Sequence, residues 1–283
     1  MNALGTAYAG VVAGLGSLFY AGLFGPVWGL AAGVVFGGAI AIGIARRRRL
    51  RRVAELIADN RLAEAERLCR HALSGRFVPR AISAAAHHNL GIIASRRGEF
   101  AIALEEVRAS AKLRQGGLRL SRRNVYADIL GYAEITLLVN LGRTGEARAR
   151  LDARSVTPVG LPEGDLLALL HIAADLSVQF AEGRPTLDND QLWDCSRRAL
   201  RLHSAPHLLA LCAWAHAEFA SPSITGDDSN LEMSDHLLAE ALDRVRATPE
   251  SPITFPSLWA WVESRRPRLS ALALAPESDS ALD

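Results

Sequence analysis

The sequence predicts an all-α protein: an antiparallel helix-pair solenoid of about five pairs, preceded by a two-helix transmembrane hairpin. Three observations carry this expectation. No Asp, Glu, Lys, Arg or His occurs from residue 1 to residue 45, and 11 of the 23 glycines fall in that stretch. Past residue 52 apolar residues recur at three-four spacing with few β-branched runs. Within that region a turn residue, an alanine five positions on and an apolar residue four beyond it recur as a set: Asn60, Ala65 and Cys69; Gly98, Ala103 and Val107; Gly142, Ala147 and Leu151.

The uncharged leader comes first. A membrane-spanning helix needs about 20 mostly apolar residues, so a run of 45 is long enough for two. Pro26, in "LFGPVWG", suits the first turn of a second helix after a glycine-flanked reversal, which places the helices at about 3–24 and 27–45. Helices gain nothing in lipid by hiding apolar surface from one another, so their association depends on close approach, which small residues four apart permit. Gly25, Gly29, Gly33 and Gly37 supply that stripe on the second helix, and Gly10, Gly14, Ser17 and Ala21 supply one on the first. The stripe resembles the glycine-zipper hairpins of many bacterial membrane proteins. That resemblance implies packing of the two helices on each other or on copies of themselves, the latter giving a homo-oligomer. A cleaved signal peptide would want a basic start, and "MNALGTAYAG" has no basic side chain.

The arginine run "RRRRLRR" at 46–52 sets the orientation. Arg46, Arg47, Arg48, Arg49, Arg51 and Arg52 are expected to stay on the cytoplasmic side, against anionic membrane lipid, and two spans return the amino terminus to that side. The expected location is a bacterial inner membrane with the rest of the chain in the cytoplasm. The formal net charge of +2 conceals this arrangement, because the residues after the run carry 26 basic against 30 acidic side chains. No broad basic surface for nucleic acid is therefore expected. Arginine outnumbers lysine 31 to 1, which reads as coding-genome composition and weakens any single arginine as a functional signal. Cys69, Cys195 and Cys212 are odd in number and widely spaced, which offers no disulfide framework and fits a reducing compartment.

From residue 53 the spacing predicts helices at about 53–59, 62–73, 79–97, 100–113, 122–141, 144–153, 163–182, 188–201, 206–220 and 231–247. At each repeated turn, Asn or Gly ends one helix in the left-handed conformation, and the following alanine lets the next helix approach closely. The stretch "HNLGIIASRRGEFAIALEEVRASA", from His88 to Ala111, resembles a tetratricopeptide repeat, through Leu90 and Gly91, the turn at Gly98, and Ala103. It departs in turn-to-turn spacings of 38 and 44 residues, and no proline closes the repeat after Ala111. The resemblance implies a groove that binds an unidentified protein or peptide along the first helix of each pair. The matching positions are His88, Asn89, Ile92 and Arg96, then Tyr132, Thr136 and Asn140.

Residues 248–283 form a proline-containing cap and loose tail in this reading, with "SLWAWVES" at 257–264 as a short helix whose Trp259 and Trp261 cover the apolar end of the last pair. The chain thus divides into a hairpin (1–45), an arginine run (46–52), helical repeats (53–247) and the cap. No phosphate-binding glycine loop, nucleophile elbow or paired zinc motif is present. His203, His207, Cys212 and His216 are the best metal candidates, but "LLALCAWAHAEF" reads as ordinary helix packing. The expectation is therefore no enzyme and no cofactor or metal. It is a membrane-anchored adaptor for protein–protein contacts, with a glycine-zipper oligomer carrying a cytoplasmic helical rim as the alternative.

Overall fold

A computed structural model of the chain describes residues 48, 50–74, 78–115, 125–154, 162–201, 206–220, 228–247 and 251–274; among them every regular element is a helix and no strand occurs. The expected hairpin, with Gly10, Gly14, Gly25, Gly29, Gly33 and Gly37, and also Arg46, Arg47 and Arg49, lie outside the described residues. Among those described, no helix is long and apolar enough to cross a membrane. Arg48, Arg51 and Arg52 are exposed, and Arg52 pairs with Glu55 one turn on at 2.7 Å.

The chain divides into two compact units, Met1–Asn89 and Leu90–Asp283. The first contains α1 (50–58), α2 (Leu62–Leu73) and the start of α3 (Arg80–Arg96). Helix α1 buries Val53, Leu56 and Ile57, and α2 buries Ala65, Cys69 and Ala72, each set at three-four spacing. The second unit continues α3 and adds α4 (Phe100–Gln115), α5 (Val125–Asn140), α6 (Thr144–Asp152), α7 (Pro162–Glu182), α8 (Asn189–Arg201), α9 (Pro206–Phe219) and α10 (Asp228–Ala247). A short turn of helix, α11 (Ser251–Thr254), leads into α12 (Pro256–Leu274).

The repeated turns have one geometry. Asn60, Gly98 and Gly142 take φ values of 56°, 76° and 71°, the left-handed region in which only glycine and, less readily, asparagine are at ease. Each closes its helix with the same two bonds. The turn residue's N–H reaches the carbonyl three back (Ile57, Ser95 and Val139), and the next N–H reaches five back (Leu56, Ala94 and Leu138, at 2.8 to 2.9 Å). The alanine five positions after the turn then donates to the first carbonyl of the new helix: Ala65 to Arg61, Ala103 to Glu99, Ala147 to Arg143. All three alanines are fully buried, and Cys69, Val107 and Leu151 are buried below them. Where α3 meets α4, a Cβ on Gly91 would lie 3.0 Å from Val107 Cγ2, so the missing side chain is what sets that approach.

A fourth turn of the same kind occurs at Gly183 (φ 74°), between the helices expected at 163–182 and 188–201, with Arg184 N–H bonded to Gln179 O at 3.2 Å. Here the next helix starts four residues later than in the other turns. Asp188 caps it by accepting the Gln191 N–H at 2.7 Å, and Leu192 takes the place of the alanine. The buried Gln179 side chain secures the intervening loop by accepting the Thr186 N–H.

Packing in the second unit is sequential. Helix α5 packs on α4, α6 and α7; α7 packs on α5, α6 and α9; α9 packs on α7, α8, α10 and α12. Helices α5 and α8 thus each touch both the next helix and the next but one. Helix α9 is buried without a break from Leu208 to His216. Ion pairs cross these contacts: Arg108 of α4 holds Glu134 of α5 and Glu146 of α6, and Arg148 of α6 holds Asp175 and Glu182 of α7 at 2.9 and 2.7 Å. Arg244 of α10 donates to the Leu200 and Ala199 carbonyls at the end of α8, satisfying acceptors that a helix terminus leaves open.

The carboxy-terminal region differs from the expected short helix at 257–264 and loose tail. Helix α12 runs through Pro267 to Leu274. A proline inside a helix removes one backbone bond and crowds the preceding turn. Tertiary contacts carry the helix past it: Arg268 pairs with Asp235 of α10 at 3.1 Å, and Leu269 packs against the core. Trp259 is buried as expected of a cap, and Trp261 is half-buried with the Arg265 guanidinium over its ring.

Candidate functional site

The expected groove residues fall into two groups. On α3, His88, Asn89, Ile92 and Arg96 are all half-buried. On α5, Tyr132, Thr136 and Asn140 lie four apart and so share one face, yet each meets a different fate. Tyr132 is buried: its ring stacks edge-on against His171 of α7 and lies 5.3 Å below the Arg154 guanidinium. Arg154 can lie there because Gly131 has no side chain; a Cβ on Gly131 would fall 1.5 Å from the Arg154 terminal nitrogen. Thr136 turns its hydroxyl back onto the Tyr132 carbonyl at 3.3 Å.

Asn140 takes hold of this chain's own backbone. Its Nδ2 donates to the carbonyl of Thr254 in α11 at 2.8 Å. The Thr254 hydroxyl in turn meets His207 Nε2 of α9 at 2.8 Å. The next residue, Phe255, is 1 % exposed and lies among aromatic rings: Phe180 of α7 edge-on at 5.9 Å and His207 stacked at 6.5 Å. One residue before Thr254, Ile253 lies against the Gly98 turn, with its Cγ2 3.6 Å from where a Cβ would stand, while the side chain stays 47 % exposed. Residues 251–255 thus cross the ends or faces of α3, α5, α7 and α9. The amide of Asn140 is only half used, because its Oδ1 is buried with no partner.

A second polar cluster lies deeper. Ser196 of α8, His216 of α9 and Asn230 of α10 form a line, with Ser196 Oγ 3.0 Å from His216 Nε2 and His216 Nδ1 2.6 Å from Asn230 Oδ1. This is the order in which a hydroxyl, a base and an orienting group stand in nucleophilic catalysis. All three are at most 1 % exposed, and Trp193 closes over the imidazole edge-on at 5.1 Å. No substrate atom reaches Ser196 Oγ in this packing. The cluster pins three helices together, as a satisfied buried network does.

The three described candidate metal ligands do not converge. His207 holds Thr254, His216 belongs to the buried line, and Cys212 lies 3.6 Å from Cys195 on the neighbouring helix; His203 lies outside the described residues. The adjacent Cys195 thiol and full burial push the Cys212 thiol well above its ordinary range, so it stays a neutral thiol. Among the described residues, no group of three His, Cys, Asp or Glu is placed to hold a metal ion.

Sequence reasoning missed the 251–255 crossing, the Ser196 line and the Cys195–Cys212 pair. A visible signal existed for the second: Ser196 and His216 are polar residues on otherwise apolar helix stripes, and such residues seek partners. The chain matches no family model, no curated protein and no solved structure.

Proposed function

We propose that the protein is a membrane-anchored, tetratricopeptide-like helical-repeat adaptor that gathers partner proteins at the cytoplasmic face of a bacterial membrane. The single observation that carries this reading is the hold that Asn140 and His207 keep on residues 251–255: side chains on α5 and α9, the first helices of two pairs, take hold of a peptide backbone and a hydroxyl. The recurring turns at Asn60, Gly98, Gly142 and Gly183, and the packing of α5 on α4, α6 and α7 and of α9 on α7, α8 and α10, support a stacked-pair solenoid. The 45-residue uncharged leader and the arginines after it supply the tether.

Recognition by such a surface needs shape and hydrogen bonds, with no reactive group and no cofactor. Affinity capture with the detergent-solubilised full chain tests the reading. The expected outcome is co-purification of a defined set of proteins, lost from the Asn140→Ala chain and kept by Glu263→Gln, an exposed position on α12. Identical recoveries with both variants would refute it.

A further inference from the structure

The groove that would receive a partner is filled by the chain itself. We propose that residues 251–255, "SPITF", are a built-in occupant of the partner site, and that the partner segment replacing them carries the same chemistry: a hydroxyl-bearing residue followed directly by an aromatic one. This deepens the adaptor reading and rests on it.

Each contact of the segment specifies one feature of the replacement. Asn140 Nδ2 takes a main-chain carbonyl, so the ligand presents its backbone to α5. His207 Nε2 meets a hydroxyl, so Ser or Thr fits at that position. Phe180, His207 and Trp259 surround an aromatic slot: Phe255 lies against the first two, and Trp259 stands edge-on to His207 at 5.9 Å. Ile253, half-exposed over the Gly98 turn, asks for an apolar side chain without demanding full burial.

Exchange is feasible because it conserves what is buried. An incoming aromatic ring covers the surface that Phe255 uncovers, and Leu258, Trp259 and Val262 keep α12 in the core throughout. The incoming peptide also has something to gain. Asn140 Oδ1 is buried and accepts no hydrogen bond from the internal segment, so a ligand that presents a main-chain N–H there makes a bond the occupant does not make. What the internal segment holds in its favour is attachment. A short tether supplies an effective concentration of roughly millimolar, so a free peptide competes at a disadvantage until it is itself concentrated, as at a membrane surface.

The test uses the full chain in detergent and a fluorescent peptide with the sequence of residues 250–257. Phe255→Ala empties the aromatic slot in the protein, and the peptide's phenylalanine should fill it. Expected is binding at least roughly tenfold tighter than to the unaltered chain, lost when the peptide's phenylalanine is alanine and lost again in the Asn140→Ala, Phe255→Ala double variant. Equal anisotropy titrations for the unaltered and Phe255→Ala chains would overturn the proposal. Should Phe255→Ala not fold, hydrogen exchange on the unaltered chain decides: residues 251–255 should exchange faster than 258–262 of α12, and protection equal to that of α12 would make the segment a fixed part of the core. Tight peptide binding combined with capture of no cellular protein would retain this proposal and sink the adaptor reading instead.

Discussion

His216 is a base held neutral. Burial pushes its imidazole below the ordinary value of 6.5, and the hydrogen bond to Asn230 raises it only in part. A neutral imidazole carries one N–H. With Nδ1–H donating to Asn230 Oδ1, Nε2 accepts from the Ser196 hydroxyl, which then releases the Leu192 carbonyl, its other neighbour at 2.9 Å. His171 is pushed the same way, by burial first and then by Arg154, against Asp175. In both cases the unfolded chain binds more protons than the folded one as pH falls below 6.5, so folding stability is intact above that value and declines as pH drops toward the lowered folded value. Denaturant titrations at pH 7.5 and pH 5.5 should therefore show the acid sample less stable. His216→Gln, which cannot titrate, should flatten that dependence even if it lowers stability at both pH values, and an unchanged slope would show that His216 does not titrate in this window.

At the level of the helix pair, the turn residue does the shaping, and a clean test exists because Gly142 has open space around it. A Cβ there would meet nothing within 4 Å, so Gly142→Ala adds only the strain of a side chain at φ 71°. That is worth about 1 kcal/mol, or a fall in Tm of about 2–4 °C for a domain of this size. Gly142→Asn should cost less, since Asn60 already occupies the same conformation; equal losses for Ala and Asn would mean that the left-handed backbone is not what matters. The same logic explains what was legible. Turn, alanine and apolar position at fixed spacing are local chemistry, so the ends of α2 to α6 could be read from the sequence to within a few residues. The Gly183 turn lies where a break between helices is expected, but it does not share the turn–alanine spacing, because four inserted residues shift its helix start and put Leu192 where the other turns have alanine. Helix α12 escaped because its continuation past Pro267 depends on a distant contact, Arg268 to Asp235. For the site, the turn register puts Asn140 on one helix face with Tyr132 and Thr136, as the structure has it. Its ligand could not, since Thr254 is 114 residues away and nothing in "SPITF" declares a partner.

For the whole molecule, the proposed tether turns on the number of times the first 45 residues would cross a bilayer, because that number would fix which side each terminus occupies. On that proposal, six arginines within seven residues would resist translocation and keep the helices that follow on their own side. Two spans bring the amino terminus back to that side, and one span leaves it opposite. A chain tagged at its amino terminus, expressed in bacterial cells and assayed in spheroplasts and in inverted vesicles, separates these cases. With two spans, protease added to spheroplasts should spare both the tag and the repeats, and the same protease should destroy both in inverted vesicles. A tag cleaved in spheroplasts while the repeats survive would reduce the hairpin to one span. The glycine stripe would then have no partner helix in its own chain, so Gly25, Gly29, Gly33 and Gly37 could pack closely only against other molecules, and the oligomeric alternative would become the stronger reading. Release of the intact chain by an alkaline wash would overturn the proposed tether, and with it the proposal that ligands gathered at a membrane surface outcompete the internal segment.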